Sequence, residues 1–352
     1  MTAPRIPIWS RVAFLVLLPF VLYSAWGYIE SRRLESRVDA IQQRGEPLER
    51  AYPRLTSENR QAERLYRAAA ALRVAEQRPV EARNNIERAG RENRWTPDTI
   101  ALAREEVLAN REALEFVDRA AALPFAGFAP GTAYNYRAGD LMNLGGLLEL
   151  RAAVEISERR FAAALASFYS EARLVRADDS LQFGIETGMA GRSVPMFRGL
   201  SAAVSGAGPD PGREQLARAF ADIDLDDRLR TDFMARRVSL LNSFVDGSLA
   251  RYPANPFVAH ITVRQLDAFA EIIAAAKAPW PQRIEAVTAV GRWPLGFASA
   301  NAVQSAALRS YTKSIAEQVQ RIRCARLITS PQPLVLVDPF TGKPLEVGIC
   351  RL

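Results

Sequence analysis

The chain contains one histidine, His260, and two cysteines, Cys324 and Cys350. That scarcity limits its chemistry more than any motif extends it. A Ser-His-Asp hydrolase would have to use His260 as its base. The stretch "FVAHITVRQ" has no G-x-S-x-G turn nearby, and helical spacing places His260 among Phe257, Ile261 and Val263, as in a buried or half-buried helix residue. Ser310-Tyr311-Thr312-Lys313 matches S-x-x-K, a spacing that sets a serine and an activating lysine on adjacent helical turns. The companion S-x-N and K-T-G elements are missing, so a serine hydrolase using Ser310 and Lys313 ranks last among the functional readings. Asp222, Asp224, Asp226 and Asp227 cluster in "DIDLDDRLRTDF", without the glycine and terminal glutamate of a calcium loop; Asp226 or Asp227 as a helix cap is the better reading. Glu105-Glu106 and Asp178-Asp179 read as solvated or capping acids. Gly342-Lys343 fails as a phosphate loop, because Pro344 follows the lysine and no earlier glycine is correctly placed. So few soft ligands argue against zinc, iron–sulfur or haem chemistry. The expectation is a protein without catalytic residues, metal or cofactor.

The formal net charge is +7, yet the basic residues are interspersed with acids, as in "SRRLESRVDAIQQRGEPLER". Lys277, Lys313 and Lys343 are the lysines, and every other basic side chain is arginine. A nucleic-acid binder concentrates its positive charge on one face or in a run, so no nucleic-acid partner is expected.

What the chain does offer is an apolar run. From Val12 to Ile29 it reads "VAFLVLLPFVLYSAWGYI", 18 residues without a charge, the lower limit for crossing a hydrocarbon core of about 30 Å. Trp9 lies at one end and Tyr23, Trp26 and Tyr28 at the other, as an interfacial aromatic belt would. Trp9 and Trp26 would stand about 25 Å apart along a helix. Pro19 is tolerated in a membrane helix. A cleaved signal peptide is the rival, but Tyr23-Ser24-Ala25 puts a ring where a small residue is needed. The lipid bilayer, through 12–29, is therefore the expected first partner. Arg32, Arg33 and Arg37 after the span favour a cytoplasmic body, but long domains translocate regardless of charge. Two cysteines suit one Cys324–Cys350 disulfide in an oxidising compartment, which favours a single-pass protein with a periplasmic body.

Beyond the span the pattern is helical almost throughout. Leu34, Val38 and Ile41 continue the first helix until "RGEP". Thr56 or Ser57 caps "TSENRQAERLYRAAAALRVAEQRP", which Pro79 closes, and Thr96 with Pro97 opens "TPDTIALAREEVLANREALEFVDRAAALP". "GDLMNLGGLLELRAAVEISERR" and "RFAAALASFYSEARLVRADDS" form the clearest helical hairpin. The cluster "SGAGPDPGRE" over 205–214 marks an internal boundary, and a last long helix covers approximately 298–327. The fold class expected is all-α: an N-terminal transmembrane helix, divergent tetratricopeptide-like stacked hairpins, and a small C-terminal β-hairpin. The corresponding divisions are 1–31, 32–204, 205–330 and 331–352. In the hairpin, 334–337 and 345–350 would be strands about the turn "DPFTGKP", with Leu345, Val347 and Ile349 on one face.

"ENRQAERLYRAAAAL", "LANREALEFVDRAAALP", "LLELRAAVEISERRFAAALASFYSEARLVR" and "VDPFTGKPLEV" occur in this order. Together they resemble uncharacterised bacterial single-pass membrane proteins with a tetratricopeptide-like helical body and a C-terminal DPFTGKPL element. The likeness covers about two-thirds of the chain. The tail here is abbreviated to "ITSPQPL" before the motif. The resemblance implies the architecture and brings no catalytic residues. The functional expectation is a membrane-anchored helical scaffold of the bacterial envelope, binding a protein or peptide partner on a concave helical surface. The alternative is a module that holds an apolar small molecule or lipid in an inter-helix cavity.

Overall fold

The computed structural model describes residues 8–48, 56–74, 80–92, 94–124, 138–179, 197–223, 225–245, 255–290, 301–348 and 350. The side chains of 8–15 and of some other helix-end positions fall outside that description. Among the described residues the secondary structure is helical, in the order α1 (Ile8–Gln43), α2 (Ser57–Leu72), α3 (Val80–Glu92), α4 (Pro97–Ala109), α5 (Arg111–Ala121), α6 (Ala138–Ser157), α7 (Phe161–Asp179), α8 (Leu200–Ala207), α9 (Pro211–Ala221), α10 (Arg228–Val245), α11 (Pro256–Ala275), α12 (Gln282–Ala289) and α13 (Asn301–Thr329). The all-α class holds. The chain divides into two compact units built from non-consecutive segments: 1–51, 229–279 and 285–309 make one, and 52–228, 280–284 and 310–352 the other. The cluster at 205–214 falls within the second unit, between α8 and α9.

The local rules that start and stop these helices are visible atom by atom. Thr56 accepts the Asn59 amide through its side chain, and Thr96 does the same for Thr99 in a reciprocal capping box, with Pro97 in the first turn. α1 ends at Gly45, whose φ of 66° lets Glu46 N–H reach Ile41 O and Gly45 N–H reach Gln42 O; this is the paired bonding of a Schellman end. α6 ends in the same pattern, with Arg160 N–H on Glu155 O and Arg159 N–H on Ile156 O. There the left-handed position is held by Arg159, at φ 57°.

In the first unit α1 packs along α11. Ile41, Phe233, Leu266, Phe269, Ile272 and Ile273 are buried, and the Phe233 and Phe269 rings meet at 6.3 Å in an edge-on arrangement. The fully buried Arg237 donates to Glu46 Oε2 and to Pro47 O (3.4 Å), which fastens the chain just beyond α1 to α10.

In the second unit α2 packs on α5, α4 on α6, and α6 on α7, while α7 also carries α8 and α9. The buried residues Leu65, Tyr66, Leu114, Val117, Leu144, Leu148 and Leu174 form one cluster. The segment 97–121, read as one helix, is two. Asn110 is 1 % exposed; its amide donates to Glu106 O and Glu106 Oε1, and its Oδ1 accepts Val74 N–H. That amide holds the end of α2 against the break, so the helix interruption is a tertiary contact that periodicity cannot show. Asp118 takes a bidentate pair from Arg151 at 2.7 and 2.8 Å and a hydrogen bond from Ser170 Oγ, while Ser167 Oγ donates to Glu155. This network locks α5, α6 and α7 in register.

The C-terminal β-hairpin is corrected. Among the described residues only one antiparallel bridge forms, Val337 with Pro344, closed by Leu345 N–H to Leu336 O and Asp338 N–H to Lys343 O. Pro344 has no N–H to extend a ladder, and the Val337 carbonyl is taken by the Arg323 guanidinium. Beyond the bridge the backbone turns, with Cys350 N–H on Glu346 O and Val347 O. Leu345 is buried while Val347 is 53 % exposed, so the expected common face does not exist; Ile349 lies outside the described residues. Gly342 does adopt a positive φ, 70°. A β-carbon there would stand 3.1 Å from Pro281 Cδ.

Arg159→Gly relieves the left-handed strain at the end of α6 and is expected to stabilise the protein by about 1 kcal/mol. A rise in the unfolding midpoint, without change in denaturant slope, would show it; an unchanged or lower midpoint would count against it.

Candidate functional site

α1 changes character along its length. Val16, Leu17, Leu18, Phe20, Val21, Leu22 and Tyr23 are all exposed, Phe20 by 68 %. At 100° per residue, such a stretch presents apolar side chains to every side of the helix. It is not an amphipathic face awaiting one neighbour. From Trp26 onward one face of α1 is covered by α11, with Glu30 2 % exposed, Leu34 and Val38 half-buried and Ile41 buried.

The ties between the two helices fix their direction. Trp26 meets Phe257 edge-on at 4.6 Å, Glu30 Oε1 lies 3.3 Å from His260 Nδ1, and Arg37 pairs with Asp267 at 2.6 Å. Both residue numbers rise together, so α1 and α11 run parallel. α11 begins, with Asn255 capping it, at the level of Trp26. The preceding turns of α1 have no part of α11 beside them.

Glu30 is the centre of this seat. Its Oε1 accepts Arg33 at 2.9 Å and Trp26 Nε1 at 3.3 Å, besides facing His260. His260 is therefore a positioning residue of a helix contact, half-exposed at 42 %. The sequence signal for this seat was a single acid set one turn after Trp26, at the point where the apolar run ends. It passed unused because its partner on α11, His260, is 230 residues away.

The sequence-derived site residues are distributed as follows. Tyr23 is exposed by 44 % and Tyr28 by 63 %; the Tyr28 hydroxyl accepts from Arg32, whose guanidinium lies 5.5 Å from the ring centroid. Trp26 is half-buried on Phe257, and the Trp9 side chain lies outside the described residues. Among the described residues no helix is long and apolar enough to cross a membrane. The described side chains of α1 start at Val16, and 16–29 amounts to about 21 Å of helix, short of a hydrocarbon core. The run assigned to the span begins at Val12, within the part whose side chains are outside the description. Ser310 and Lys313 are on the open surface of α13, with Tyr311 and Thr312 between them buried. Asp226 pairs with Arg323 at 2.7 Å and Asp224 lies outside the described residues.

Cys324 of α13 and Cys350 are joined, Sγ–Sγ 2.00 Å and Cα–Cα 5.4 Å. Two arginines finish the same region. Arg213 of α9 donates to Thr329 O at 3.1 Å and Ser330 O at 3.2 Å, capping α13. Arg326 of α13 donates to Phe220 O at 2.9 Å and to Ala221 O, capping α9.

One buried acid has no such support. Glu171 of α7 is 0 % exposed, and neither carboxyl oxygen has a hydrogen-bond partner of normal geometry among the described residues. Burial, then the neighbouring Glu149 of α6, hold its carboxyl well above the usual carboxylate range, against the opposing pull of the Phe197 backbone and then of Arg198. Arg198 lies 3.9 Å from Glu149, and Arg321 of α13 faces the same group.

No family model, curated protein or solved structure matches the chain.

Two outcomes follow from these geometries. Reduction of the Cys324–Cys350 link, which closes a sequence separation of 26 residues, is expected to cost about 3 kcal/mol; equal unfolding midpoints with and without reductant would contradict it. Glu171 binds its proton more tightly folded than unfolded. Its contribution to stability is therefore complete below the ordinary carboxylate range and is lost as pH rises toward the folded value. Glu171→Gln keeps the shape and removes the charge. It is expected to be more stable than the wild type at neutral pH and to flatten the decline that sets in as pH rises above the ordinary carboxylate range, read from denaturant unfolding; parallel pH profiles would refute this.

Proposed function

We propose that the chain is a membrane-anchored helical scaffold of the bacterial envelope, held in the bilayer by the apolar run of α1 over 12–29. The observation that carries this reading is the stretch 16–23, apolar and exposed on every side of the helix. Water around so many large apolar side chains is costly, roughly 1.5–3 kcal/mol for each, and a single protein neighbour would cover one face. Lipid covers all of them. The half-exposed to exposed Tyr23, Trp26 and Tyr28 suit an interfacial belt, and the arginines that follow suit the headgroup side. The body is assigned to the periplasm, where a Cys324–Cys350 disulfide is favoured. Its helical hairpins, tetratricopeptide-like in pattern, would present their surfaces to a protein or peptide partner, without a catalytic role.

The test is membrane retention of the full-length chain. Wild type is expected to stay with membranes through an alkaline carbonate wash and to float with vesicles. The pair Leu17→Asp and Val21→Asp, at about 3 kcal/mol each for an acid at mid-span, is expected to release most of it. A wild-type chain recovered in the soluble fraction would overturn the anchor. In-cell crosslinking that yields no stoichiometric partner would overturn the scaffold.

A further inference from the structure

We infer that the N-terminal end of α11 is a second membrane contact, with Phe257 inserted at the headgroup boundary beside Trp26. The inference rests on the anchor reading above and goes beyond it: the folded unit itself would touch lipid, at a depth fixed by α11. Four observations converge on it. The parallel ties Trp26–Phe257, Glu30–His260 and Arg37–Asp267 put the start of α11 level with the end of the bare apolar stretch. Phe257 is 58 % exposed, an aromatic ring on the first turn of a helix whose next residues inward, Ala259, Thr262 and Val263, are buried. Trp26, against which it stands, has its N–H satisfied by Glu30, so the pair can present apolar edges downward while the polar contact remains above. Arg32 and Arg33 lie within two turns above Trp26, with side chains 65 % and 59 % exposed, where positive charge meets lipid phosphates.

The occupant is thus the interfacial layer of a bilayer, continuous with the lipid around α1. Below Phe257, α1 continues into the hydrocarbon; above it, α11 is amphipathic against its own unit. Glu30 and its donors sit at the transition. In a medium of lowered dielectric their charge-assisted hydrogen bonds are stronger than in water, so the seat acts as a depth stop.

The experiment uses the full-length chain in vesicles of phosphatidylcholine and phosphatidylglycerol, with bromines carried near the headgroup end of the acyl chains. Two variants are compared with wild type, Phe257→Trp and Arg264→Trp, the latter about 10 Å further along α11 at an exposed position. Far-UV circular dichroism and the intact disulfide confirm folding of each. Most of the fluorescence added by Phe257→Trp is expected to be lost in brominated vesicles, and that added by Arg264→Trp to be retained. Flotation of both variants without quenching of the residue-257 probe would overturn this inference alone. Equal quenching at both positions would also overturn it, because α11 would then lie flat. A chain that fails to float would overturn this inference and the anchor together.

Discussion

The buried carboxylate of Glu30 is the point on which the first unit turns. A glutamate 2 % exposed at the end of an apolar helix is costly unless its charge is met. Here Arg33 supplies the charge, Trp26 a hydrogen bond from one turn below, and His260 a third contact from α11. These contacts define where α1 stops being a bare apolar rod and becomes part of a folded body. They also set the parallel direction of α11, confirmed a few turns on by Arg37 with Asp267. Remove the carboxylate and the Arg33, Trp26 and His260 side chains have nothing to converge on.

The second unit is held by different means. Several of its helix ends are capped by side chains from elsewhere in the unit. Arg213 and Arg326 exchange caps between α9 and α13, and Arg323 reaches both Asp226 and the carbonyl of Val337. Arginine suits this role because its planar fork serves two acceptors at once without losing its charge. The heavy use of arginine over lysine thus has structural uses in helix capping and tail attachment. The C-terminal tail is tied to α13 at two points, by Arg323 and by Cys350 to Cys324, and closed on itself by the bridge of Val337 with Pro344. That leaves the Gly342-Lys343 turn at the surface, with Lys343 exposed.

How far the fold was legible in the sequence follows from the range of each interaction. Caps are local, so Thr56, Thr96 with Pro97, and Gly45 before Pro47 could be read directly. Helix class and the 157–161 turn were legible from periodicity. The break at Asn110 was not, since it depends on Val74 and Glu106. The tail was misread as two strands because β-branched residues were weighed above Pro344 and the competing Arg323 donor. For the candidate site, the apolar run and the aromatic residues near its end were apparent, whereas Glu30, Arg33 and Phe257 were not. Their roles exist only once α11 lies beside α1. Glu171 was equally invisible, since nothing in "SFYSEARLV" distinguishes a buried acid from a solvated one.

The proposed anchor divides α1 at Trp26 into a half to be covered by lipid and a half covered by α11. Backbone hydrogen exchange of the full-length chain in lipid nanodiscs tests it most directly. The expected result is strong protection over 16–25, lost when the same chain is transferred to lipid-free buffer, while 30–43 keeps its protection in both. Free exchange over 16–25 in nanodiscs, or protection there that is indifferent to lipid, would contradict the account.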